Sequence, residues 1–177
     1  MENKEILKNI LISDNVVEEI NNNIIFLIEN IPEIKYMIGF DQKNPHHHLD
    51  VWNHTLYALS LSECDFDIRL SLLLHDIGKP FCFQDKEIRH FYGHPKVSAT
   101  IANEILERLE FDSEDIKKIC YLIENHDTPI KEKDIIENYE LQLKRFEIQR
   151  CDVLAHHPEK LEKRKKYLEK TKIMLKI

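Results

Sequence analysis

Leu72-Leu73-Leu74-His75-Asp76-Ile77-Gly78-Lys79-Pro80 sets an imidazole and a carboxylate side by side at the end of an apolar run. The run reads as helix, and Gly78 and Pro80 stop it. A charge carried into an apolar interior is costly unless it is paired, and a divalent cation answers that cost for an adjacent His and Asp. Further residues of ligand type lie outward from this point: His54 upstream, and His94, His126 and Asp152 downstream.

Their spacing places all of them on inward faces. His54 stands three after Val51 and four before Ala58, and His75 stands three after Leu72 and seven after Ile68. Asp76 follows His75 by about 100° around the helix, so both flank one ion if the helix end loosens. His94 precedes Val97 and Ile101, His126 follows Ile119 and Ile123, and Asp152 lies between Ile148 and Ala155 at helical spacing. Singly, an inward His is more often a hydrogen-bonded core residue, and an inward Asp a cap or ion-pair partner. Together they are hard to satisfy pairwise, whereas a shared metal centre accounts for all six. Imidazole and carboxylate without thiolate favour Mn, Fe, Co, Ni, Zn or Mg, as one ion or two. The ligands outnumber what a closed tetrahedral site needs, which leaves positions for water and substrate.

The remaining chain reads as helical. With 3 glycines and 6 prolines in 177 residues and 42% apolar content, a turn-rich β fold is disfavoured and one domain is expected. The expected class is an all-α single-domain bundle of about seven helices. Its core spans about 44–158, with a helical extension over 1–43 and a basic helix over 159–177. Ser13-Asp14 is expected to cap a helix running to Ile31, 134–157 to form one long helix, and 81–91 to be irregular. The four cysteines form no C-x-x-C pair, which disfavours structural zinc and disulfides. The polar opening Met1-Glu2-Asn3-Lys4-Glu5 carries no secretory signal, and the longest apolar run, Ile24 to Ile28, is too short for a membrane span. A cytoplasmic protein is expected. The net charge of −7 argues against a general nucleic-acid coat.

The order His54, His75-Asp76, Asp152 resembles the H…HD…D signature of the HD superfamily of metal-dependent phosphohydrolases. The segments Asp50 to Leu56, His75 to Pro80, Phe91-Tyr92-Gly93-His94 and Asp152 to His157 are more narrowly similar to the HD domain of bacterial CCA-adding tRNA nucleotidyltransferases. The likeness covers about 44–158 and implies an all-α fold. It further implies that His54, His75, Asp76 and Asp152 bind a first ion, and that His94 and His126 match the extra histidines of two-ion members. The 177 residues leave no room for a nucleotidyltransferase head, so a stand-alone module is expected, unable by itself to add CCA. Ile77-Gly78-Lys79 after Asp76 and Asp127-Thr128-Pro129 after His126 depart from the patterns of guanosine tetraphosphate hydrolases and cyclic-di-GMP phosphodiesterases.

The expected activity is hydrolysis of phosphomonoesters or cyclic phosphodiesters on nucleotide or RNA-end-like substrates. Asp76 is expected to orient water, and Lys79 to offset phosphate charge. His47, His48 and Arg150 are further candidates for substrate contact, and Asp50 caps or supports the helix of His54. The alternative is a regulatory module that binds a nucleotide without turnover. The tail from Glu159 holds 8 Lys+Arg against 3 Glu. It reads as an amphipathic helix on the bundle, with an RNA backbone as a weaker partner. A homodimer is left open.

Overall fold

Eleven α-helices and two 3₁₀ turns form the fold in a computed structural model that describes residues 2–177. Among the described residues there is no strand, only one antiparallel bridge between Gln84 and His90. The all-α class is as expected, but the count of about seven helices is too low. Within the expected helical extension, α1 (Glu2–Leu11) is a separate helix, and the span up to Ile31 divides into α2 (Val16–Asn22) and α3 (Ile24–Asn30). At the break, the Asn23 side-chain amide donates to Glu19 O at 2.9 Å. The expected cap at Ser13-Asp14 is absent: Asn15 is the N-cap of α2 and makes no side-chain capping bond. The expected helix over 134–157 divides in the same way into α9 (Glu132–Glu137) and α10 (Tyr139–Leu154), because Asn138 accepts from Leu141 N at 3.1 Å and starts a new helix. Asparagine offers the backbone a local alternative to helix. Hydrophobic periodicity does not register it.

Helix α5 (Phe66–Leu74) is the central element, with every residue from Ile68 to Leu74 buried. It packs on α1, on α4 (Val51–Ser60), on α7 (His94–Arg108), on α8 (Ser113–Glu124) and on α10. A helix apolar on every side belongs inside a bundle. Its one buried cation, Arg69, donates to Leu11 O and Ser13 O at 2.7 Å each. Those bonds satisfy carbonyls that the end of α1 leaves open. Aspartates start three of the helices that position the site: Asp50 accepts from Asn53 N at 2.7 Å at α4, Asp65 from Ile68 N at 3.0 Å at α5, and Asp112 from Asp115 N at 3.0 Å at α8.

A second apolar cluster (Ile130, Phe146, Val153, Leu161, Leu168 and Leu175) lies beneath α11 (Glu162–Leu175). The basic C-terminal helix is therefore packed on α10, as its amphipathic pattern suggests.

Gly78 ties the His75-Asp76 turn to α7. Its N–H donates to Ser98 Oγ at 2.9 Å, and a Cβ at this position would meet Ser98 N at 2.6 Å and His94 O at 3.0 Å. Both close atoms include helix backbone, which cannot swing aside. Gly78→Ala is expected to cost about 1–3 kcal/mol through overpacking and to shift His94 away from Asp76. Denaturant unfolding checks the first effect; an unchanged midpoint would refute the backbone contact.

Candidate metal centre

Six side chains from five places in the fold converge beside α5. His54 comes from the inner face of α4, His94 from the first turn of α7, and Asp152 from the last turn of α10. Helix α5 ends at Leu74, so His75 and Asp76 lie in the following turn, and the loosened helix end lets both face one point. His126 lies in the turn after α8. That turn is held by buried α10 residues: Arg145 Nε donates to Asn125 O at 2.9 Å and Gln149 Nε2 to Thr128 O at 2.7 Å. His54, His75, Asp76, His126 and Asp152 are all buried, and His94 is partly so.

Backbone carbonyls fix the tautomer of four imidazoles. Nδ1 of His75, His94 and His126 lies 2.7, 3.0 and 2.7 Å from the carbonyl three residues earlier, on Leu72, Phe91 and Ile123. His54 Nδ1 lies 3.2 Å from Ala155 O. A carbonyl only accepts, so each Nδ1 carries a proton, and a ring that is neutral turns an Nε2 lone pair towards the carboxylates.

The Nε2 atoms then form two groups around one carboxylate. Asp76 Oδ2 lies 3.6 Å from His54 Nε2 and 3.3 Å from His75 Nε2. Asp152 Oδ1 lies 2.9 and 3.6 Å from the same two atoms. On the other side, Asp76 Oδ1 lies 3.2 Å from His94 Nε2 and 4.0 Å from His126 Nε2. Ligand atoms of His54, His75, Asp76 and Asp152 fall within 4.8 Å of one another, as do those of Asp76, His94 and His126. Asp76 bridges the two groups.

Two observations test whether this set suits a cation. His75 Nε2 and Asp76 Oδ1 are buried without a hydrogen bond, despite their close neighbours. Nε2 of His94 and Nε2 of His126 face each other at 3.3 Å. With both Nδ1 protons committed to carbonyls, that approach sets lone pair against lone pair unless one ring takes up a second proton or a metal cation lies beside the two. The residues fit a divalent ion.

The electrostatics agree. Burial pushes the His75 imidazole down, but Asp76 and Asp152 overcome it and raise the group to about 10. Against the same desolvation, His75 and Lys79 hold Asp76 well below the usual carboxylate range, and His156 and His54 do so for Asp152. Burial, then the nearby His75 and His94, push His126 down to about 4. The cluster thus draws positive charge to the carboxylates and keeps His126 neutral.

Lys79 reaches the same carboxylate. Its Nζ lies 2.6 Å from Asp76 Oδ2 and 2.9 Å from Gln42 Oε1. It also lines a cleft of about 280 Å³ with Phe91, Tyr92, His47, His156 and Arg164. His47 Nδ1 is buried there without a hydrogen bond. His156 Nδ1 donates to Asp152 O at 2.7 Å. Burial, and the Arg164 charge against the pull of Asp152, hold its ring at about 4.

Two residues expected at the substrate lie elsewhere. Arg150 makes a forked pair with Glu147, at 2.6 Å for each bond, and donates to Leu61 O at 2.7 Å, so its guanidinium is spent away from the cleft. His48 is exposed, and its ring packs on His157 with centroids 5.5 Å apart. Asp50 caps α4, bonding Asn53 and not His54. Conversely, His156, Gln42 and Arg164 carry roles that the sequence reading did not assign.

An all-helical bundle with paired His/Asp groups around a shared aspartate is an arrangement that could hold divalent metal. The HD domain family matches residues 46–174, and the chain belongs to that family. The chain is 36% identical over 104 residues to the A-adding tRNA nucleotidyltransferase of Deinococcus radiodurans, covering 54% of this chain and 24% of that protein. It is 33% identical over 132 residues to the CC-adding tRNA nucleotidyltransferase of Thermus thermophilus, covering 70% of this chain and 29% of that protein. The chain thus spans about a quarter to three-tenths of the length of these relatives. No helix among the described residues is long and apolar enough to cross a membrane.

Proposed function

We propose that this protein hydrolyses phosphomonoesters or cyclic phosphodiesters of nucleotide or RNA-end-like substrates, using one or two divalent ions. The facing Nε2 atoms of His94 and His126, beside Asp76, carry this reading: a divalent ion relieves their opposed lone pairs and would lie at the wall of an open cleft. His54, His75, Asp76 and Asp152 would hold the first ion, and Asp76, His94 and His126 the second, from among Mn, Fe, Co, Ni, Zn and Mg. A divalent ion there supplies Lewis-acid polarisation of a phosphoryl group.

The protein's own groups do the rest. Lys79 and Gln42 hold Asp76 in place, and the Lys79 ammonium offsets phosphate charge at the cleft wall. His47, held neutral chiefly by burial, offers its unpaired Nδ1 to a substrate oxygen. Asp76 lies next to the attack position and orients the water. The tRNA-acting relatives support a nucleotide or RNA end over a sugar phosphate.

Elemental analysis, joined to a phosphatase and cyclic phosphodiesterase panel run in Mn, Co, Ni and Mg, tests the reading. Metal at one or two equivalents with phosphate release from at least one substrate is expected. Tight nucleotide binding without release in any metal would favour a binding module instead. His126→Ala should remove one equivalent of metal where the wild type holds two, and leave the first in place. Loss of both, or of neither, would contradict the division into two groups.

A further inference from the structure

The cleft beside the cluster does not end at the ligands. A second lobe of about 210 Å³ shares His126, Asp127, Asp152 and Arg164 with the first, so the two adjoin. The far lobe is walled by Pro129, Val153 and Tyr167, and Lys163 stands at its edge. Arg164 therefore sits where the lobes meet. It projects from the first turn of α11, three residues after Leu161 and four before Leu168, on the apolar stripe that faces α10. That face is an unusual place for a guanidinium, since an inward arginine normally meets a carboxylate or a carbonyl. Every other inward arginine here does so: Arg69 bonds the end of α1, Arg145 the turn after α8, and Arg150 Glu147. Among the described residues, Arg164 is half-buried with neither an ion pair nor a hydrogen bond. Five donors in a rigid fork, unused and facing a cleft, match an oxyanion.

We propose that Arg164, with Lys163 behind it, is a subsite for a second, non-reacting phosphate. The substrate is then a nucleotide carrying at least two phosphates along its sugar, such as the last two positions of an oligonucleotide or a nucleoside bisphosphate. The aromatic and apolar wall of the far lobe accepts the sugar or base beside that phosphate, and the reacting phosphate lies at the metal groups. Arg164 is a positioning residue and never touches the reacting atoms. This inference rests on the phosphohydrolase reading above.

The test compares adenosine 3′,5′-bisphosphate with adenosine 3′-monophosphate and 5′-monophosphate on metal-loaded full-length protein. Binding is followed by titration calorimetry, and phosphate release is assayed in the same samples. Wild type should bind the bisphosphate more tightly than either monophosphate. Arg164→Gln should weaken bisphosphate binding about 10- to 100-fold, the loss expected for one charge-assisted bidentate contact, and erase the preference. Arg164→Lys should recover part of it, because a point charge replaces the fork. Lys165→Gln removes the same charge from an exposed neighbour and should change nothing. If Arg164→Gln matches Lys165→Gln, or weakens all three ligands equally, the second-phosphate subsite is wrong. Arg164-dependent binding without hydrolysis would uphold the subsite and overturn the phosphohydrolase reading; hydrolysis without Arg164 dependence would do the reverse.

Discussion

Asp76→Asn should abolish phosphate release, lowering turnover by at least about 1,000-fold, as loss of the central charge at an electrostatic catalytic site does. The substitution keeps volume and shape, so the effect isolates charge. Asp76 is the one residue common to both ligand groups, Oδ2 facing His54 and His75 and Oδ1 facing His94. An amide offers one oxygen and one NH₂ in their place: in the Oδ2 position the NH₂ opposes the Lys79 ammonium, and in the Oδ1 position it takes up the His94 Nε2 lone pair that would otherwise face an ion. Metal at both positions should fall, whereas His126→Ala removes one. The variant also leaves Lys79 and a protonated His75 without their partner, at a stability cost of about 3–5 kcal/mol for a broken buried pair. Turnover and metal content are therefore read on protein shown by circular dichroism to be folded. Full turnover or full metal content in Asp76→Asn would remove the basis for the proposed chemistry.

The second large effect is on the ion's pH dependence. In the metal-free protein His75 titrates at about 10 against 6.5 for an ordinary histidine. Its raised group stabilises the fold fully below 6.5, and that contribution is lost as pH rises through 10. A cation reverses the sign, because it binds only the neutral ring. Asp76 and Asp152 are already ionised near neutrality, and His126 is already neutral. The first ion therefore displaces a proton from His75, and its affinity should rise with pH across the neutral range. Titration calorimetry in buffers of different ionisation enthalpy counts that proton. At an ion concentration about 1,000 times its Kd, the fold gains about 4 kcal/mol, seen as a higher Tm that chelation removes. An affinity flat with pH, or a Tm indifferent to the ion, would show that the cluster does not bind as drawn.

The convergence of the candidate ligands was legible because each lies on an apolar stripe where a polar group has no business: His54 among Val51 and Ala58, His126 after Ile119 and Ile123. The all-α class followed from the same periodicity. What failed were features that periodicity does not carry. Asn23 and Asn138 break helices with side-chain bonds to the local backbone. Arg150 looked available because its neighbour Asp152 was important, yet Glu147, three residues before it, takes both arms of its fork. Arg164 was lost in a run of lysines that reads as a solvated face. Its signal was present all the same, in the spacing Leu161, Arg164, Leu168, Thr171, Leu175, and only burial reveals which cation of the run turns inward.

The carbonyls that aim His75 and His126 belong to Leu72 and Ile123, in the closing turns of α5 and α8, where the helix can no longer supply partners. One bond thus finishes a helix and orients a ligand. A relative of this protein that bound no ion would still need those imidazoles, or be left with bare helix ends in a dry interior. Intact histidines alone would then be a poor guide to whether such a relative still holds a metal.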